Sequence, residues 1–110
     1  MVAPERIREF AARVAAEFQP QRIILFGSRA RGDACADSDV DVLVLMAHQG
    51  SASRVAVDIL ARVEPEFPID LIVRDPETAA RRYAEHDPLM REAFDEGVIL
   101  YDRDGAGVAA

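Results

Sequence analysis

The sequence predicts an α/β fold, a small sheet with helices packed on it. Three observations carry that expectation. Short apolar runs of strand length recur at 22–26, 40–46, 69–73 and 98–101. Segments with apolar residues at helical spacing lie before, between and after them. Most changes of period are marked by Pro, Gly or an Asp-Pro pair, so helix and strand alternate along the chain.

The first element is an amphipathic helix over 4–18. Ile7, Phe10, Ala11, Val14, Ala15 and Phe18 form one stripe, Pro4 suits the first turn, and Gln19-Pro20 stops it. Residues 22–26, Arg-Ile-Ile-Leu-Phe, read as a short buried strand. Gly27 makes a sharp turn, and Ser28 is placed to cap a short helix through Arg31. Residues 32–37 read as a loop. The run 40–46 is apolar beyond Asp41, as expected of a central strand covered on both faces.

A helix over 54–64 follows, capped by Ser53, with Val55, Ile59, Leu60 and Val63 inward. Pro68 introduces the strand at 69–73. Asp75-Pro76 and Asp87-Pro88 each pair a capping residue with proline at the first helical position, predicting two more helices, the second closed by Gly97. The run 98–101 reads as an edge strand. One domain over 1–102 and a disordered tail over 103–110 are expected.

Composition narrows the function. The chain has 110 residues and a net charge of −7, which disfavours stable nucleic-acid binding overall. All 13 basic residues are arginine, so neither a phosphate-loop lysine nor Schiff-base chemistry is available. Cys35 is the only cysteine, which rules out an internal disulfide or a cysteine-rich zinc site. No apolar run is long enough to span a bilayer, and the first residues lack a secretion signal, so a cytoplasmic setting is expected. His48 and His86 lack metal-ligand spacing, Tyr101 reads as packing, and the Arg81-Arg82-Tyr83 face reads as solvated.

One stretch carries chemistry. Gly27-Ser28 is followed by ten residues and then Asp39-Val40-Asp41. Side chains two apart on a strand emerge on one face, so Asp39 and Asp41 are expected side by side. Their repulsion would be relieved by divalent cations, and hard oxygen donors suit magnesium. The plainer alternative is a solvated acidic turn that includes Asp33, Asp37 and Ser38. Asp70 stands in an otherwise apolar strand, where a lone carboxylate needs a metal or a partner such as Arg74. If its strand neighbours that of Asp41, three carboxylates meet. Gly27 and Ser28 at a helix start form a natural anion site. Arg29 and Arg31 either reach a phosphate or pair with Asp33 or Asp37.

These residues resemble the nucleotidyltransferase superfamily that includes DNA polymerase β, and most of all its minimal, stand-alone members. The resemblance rests on Gly27, Ser28, Asp39 and Asp41 at their fixed spacing, on Asp70 downstream, and on the wording Gly-Ser-Arg-Ala-Arg-Gly. It implies a mixed sheet of the polymerase β palm type, ATP as donor and magnesium as cofactor. Two ions are expected on Asp39, Asp41 and Asp70, with the three carboxylates catalytic and Gly27, Ser28, Arg29 and Arg31 binding the nucleotide. It also implies a partner, a helical HEPN-type ribonuclease toxin that the domain adenylylates as an antitoxin. The alternative is a non-catalytic nucleotide-binding module that neutralises its partner by masking it. Homo- or hetero-oligomers fit either reading.

Overall fold

The computed structural model describes residues 3–32 and 39–105. The predicted loop from Asp33, with Cys35, Asp37 and Ser38, lies outside the described residues, as does 106–110 of the expected tail.

The elements run α1 (Pro4–Phe18), β1 (Arg22–Phe26), α2 (Ser28–Arg31), β2 (Val40–Leu45), α3 (Ala52–Val63), β3 (Ile69–Arg74), α4 (Pro76–Ala84), α5 (Pro88–Glu96) and β4 (Val98–Asp102). They build a four-stranded mixed sheet in the order β3-β2-β1-β4. β1 is antiparallel to β2 and to β4, whereas β2 and β3 are parallel. That parallel pair requires a crossover, and α3 supplies it.

Alternation along the strands divides the core in two. Ile23 and Leu25 of β1, Val40, Val42 and Val44 of β2, and Leu71 and Val73 of β3 pack with α1 and α3. Ile24, Phe26, Leu43 and Leu45 pack with Ala79 of α4 and Met90 and Ala93 of α5. The result is three layers, helix–sheet–helix, with β2 covered on both sides as its sequence predicts.

Two caps differ from expectation. Ser51, not Ser53, caps α3, its hydroxyl accepting from the Arg54 N–H at 3.3 Å. Gly27 occupies the N-cap of α2, so Ser28 becomes the first helical residue and no side chain caps the turn. Asp75 and Asp87 cap α4 and α5 through the N–H groups of Glu77 and Met90, as their Asp-Pro signals predict. Gly97 closes α5 with extended backbone rather than a left-handed cap. Its role is steric: a Cβ there would meet the Ala93 carbonyl at 2.2 Å and the Ile24 side chain at 2.5 Å. β4 is an edge strand against β1, and residues 103–105 continue it as a turn bonded to the Asp102 carboxylate.

Candidate active site

Strand pairing decides which carboxylates meet. In the β2–β3 ladder Asp41 is the direct register partner of Asp70. Residues paired in this way point to the same face, so both side chains lie on the α4/α5 side, continuing the rows of Leu43 and Ile72. Asp39, two residues before Asp41, precedes β2. Both parallel strands begin at this end of the sheet, and β1 ends there, with Phe26 opposite Asp41 across the antiparallel ladder.

Gly27 follows directly. Its backbone has φ 79° and ψ −158°, a region essentially reserved for glycine. Its Cα presses against the Asp41 carboxylate: a Cβ would come within 2.3 Å of Oδ2. The tight turn after β1 and the carboxylate on β2 are therefore one packed unit.

The electrostatics follow from this crowding. Burial of the carboxyl raises the Asp41 pKa, and the negative charges of Asp70, Asp39 and Glu92 raise it further, while Arg31 opposes them. Asp70 itself is exposed. The expectation that burial alone demands a partner for it does not hold; what marks it is its register with Asp41. Rather than pairing with Asp70, the Arg74 guanidinium donates to the Val73 carbonyl at 2.9 Å.

Arg31 pairs with Glu92 of α5 at 2.8 Å. The alternative partners Asp33 and Asp37 lie outside the described residues. Arg29 occupies the first turn of α2, half-exposed. Glu92 is the site residue that the sequence does not signal. Nothing local distinguishes it, and only the docking of α5 on the sheet brings it near. Elsewhere, Tyr83 donates to Asp95 at 2.6 Å and Arg82 pairs with Asp87 at 3.5 Å, as suits a helix surface.

Among the described residues no three His, Cys, Asp or Glu side chains stand close enough together to enclose a metal ion. Asp41 and Asp70 share a face, and Asp39 lies at the same end of the sheet, rather than in a closed cluster. Their chemistry still fits a hard divalent cation. All the donors are carboxylate oxygens, and the like charges that raise the Asp41 pKa are the kind a cation relieves.

A mixed sheet with helices on both faces, carrying acidic residues on neighbouring strands beside a Gly-Ser turn, is the frame of a nucleotidyltransferase. The chain matches the family described as Polymerase beta, Nucleotidyltransferase over residues 5–106, and it belongs to that family. Among solved structures it resembles a Sulfolobus solfataricus protein named as a candidate nucleotidyltransferase, with 23% identity and a TM-score of 0.68 over 96% of this chain and 86% of that one. It also resembles a chain of a toxin–antitoxin structure with AMP-PNP, with 17% identity and a TM-score of 0.54 over 86% of this chain and 73% of that one. At these identities the likeness is one of fold. No curated protein matches. No helix among the described residues is long and apolar enough to cross a membrane.

Proposed function

We propose that this domain transfers AMP from ATP to a hydroxyl of a partner protein, with magnesium held by Asp39, Asp41 and Asp70. The observation that carries this reading is the register pairing of Asp41 with Asp70 beside the Gly27 turn, with Asp39 at the same end of the sheet. Family membership supplies the reaction class.

In this mechanism the Ser28 N–H at the start of α2 donates to the outer phosphates, while the Ala30 and Arg31 N–H groups close the turn on the Gly27 carbonyl. Arg29 and Arg31 add charge-assisted bonds. Asp70, the more exposed of the two strand carboxylates, takes the proton of the incoming hydroxyl. That oxygen forms a bond to the α-phosphorus as the bond to the bridging oxygen breaks and pyrophosphate leaves. Bound magnesium, expected as two ions, stabilises charge on the entering and departing oxygens.

A second protein presenting a Tyr, Ser or Thr hydroxyl fits the acceptor side of this chemistry. The toxin–antitoxin assembly and AMP-PNP of the structural neighbour belong to that protein. Carried to this chain, they support a role in a toxin–antitoxin pair; the antitoxin part, a HEPN-type toxin as partner and a cytoplasmic setting are proposed from the resemblance to the minimal nucleotidyltransferases.

The test incubates the protein with magnesium, α-labelled ATP and the product of the adjacent gene. Label moving onto that protein is the expected result. A tight complex without label would overturn the transfer reading in favour of masking.

A further inference from the structure

Arg31 and Glu92 stand 61 positions apart in the chain and pair at 2.8 Å, joining the short α2 turn to α5. The two ends of this bridge differ in rigidity. α2 is only four residues long. Glu92 stands on a helix anchored by Met90 and Ala93, both essentially inaccessible in the core. The end of that helix lies hard against β1, because Gly97 allows close approach to Ile24 and the Leu25 carbonyl. α2 starts from the Gly27 turn packed on the Asp41 carboxylate, and both charges of the bridge act on that carboxyl, Glu92 raising its pKa and Arg31 lowering it. The pair therefore borders the carboxylate face.

We propose that Glu92 is a positioning residue that fixes the Arg31 guanidinium beside the carboxylate face, ready to meet the phosphates of a nucleoside triphosphate. Glu92 has this role only if the site binds such a nucleotide, as proposed above. An exposed arginine samples many rotamers, and freezing one on binding weakens affinity. Glu92 removes that cost in advance and neutralises its own charge in doing so. Without Arg31, Glu92 is one more negative group facing an anionic ligand. The sign of its contribution to binding thus depends on Arg31.

The experiment is a double-mutant cycle on the full chain. It reads magnesium–ATP affinity by calorimetry and thermal midpoint in parallel. Glu92→Gln in the wild-type background weakens binding by roughly two- to tenfold, the range expected for losing one pre-ordered side chain. The same change in the Arg31→Ala background leaves affinity unchanged or improves it. A structural role alone would lower the thermal midpoint without that reversal. Equal loss of affinity in both backgrounds overturns the inference, as does no loss in the wild-type background. If the wild-type chain fails to bind magnesium–ATP, the transfer reading falls and this role falls with it. If the wild type binds and the cycle shows no coupling, only the role of Glu92 falls.

Discussion

Gly27 combines two constraints that no other residue type meets. Its φ of 79° and ψ of −158° put a side chain under strain of about 1–3 kcal/mol. Its Cβ position is also already filled by the Asp41 carboxylate. Gly27→Ala is therefore expected to lower the thermal midpoint and to push Asp41 out of register with Asp70. A shift of about 1 Å in a reacting group costs on the order of a hundredfold in rate. Calorimetry with magnesium–ATP and a thermal melt check both effects. An alanine variant with unchanged midpoint and affinity would separate the glycine from the site. Asp41 itself is held at a cost, since burial and like charge both disfavour its ionised form. The Gly27 turn and the place of Asp41 on β2 are legible because spacing and strand period act locally. The apolar sequence around Asp70 suggests burial, but Asp70 stands exposed near the start of the edge strand β3.

At the scale of elements, the Asp-Pro signals carried furthest, because capping needs only the residues on either side. Asp87 accepts from the Met90 N–H at 3.1 Å, and that bond is the main cause of its lowered pKa, with Arg82 adding a smaller share. A depressed carboxyl pKa stabilises the fold above the ordinary aspartate range, and the contribution is lost as pH falls through the folded value. Asp87→Ala is therefore expected to melt below the wild type at neutral pH. The gap should close on acidification through the aspartate range; a gap independent of pH would assign the effect to something other than the charged cap. The serine caps were harder to read. Ser51 and Ser53 flank one alanine, and either suits a cap until the chain's exit from β2 selects Ser51. Gly97 looked like a left-handed stop, yet it is small because α5 and β1 leave no room for a side chain.

Across the whole molecule, strand boundaries and the helix–strand alternation follow from local pattern, and β2 announces its central place by being apolar beyond Asp41. The position of β4 beside β1, on the side away from β3, follows from long-range pairing that no local signal reports. Glu92 escaped notice for the same reason: its place depends on how α5 docks. The two-sided core leaves the site at one end of the sheet, where β1 ends and β2 and β3 begin. The central claim is that Asp39 and Asp41, with Asp70 in register, act as one cation-dependent nucleotide site. The most direct test measures ATP affinity with and without magnesium for the wild type and for Asp39→Ala/Asp41→Ala, with circular dichroism to verify folding. Magnesium-dependent binding in the wild type and its loss in the folded double variant is the expected result. Equal affinity in the two proteins would contradict it.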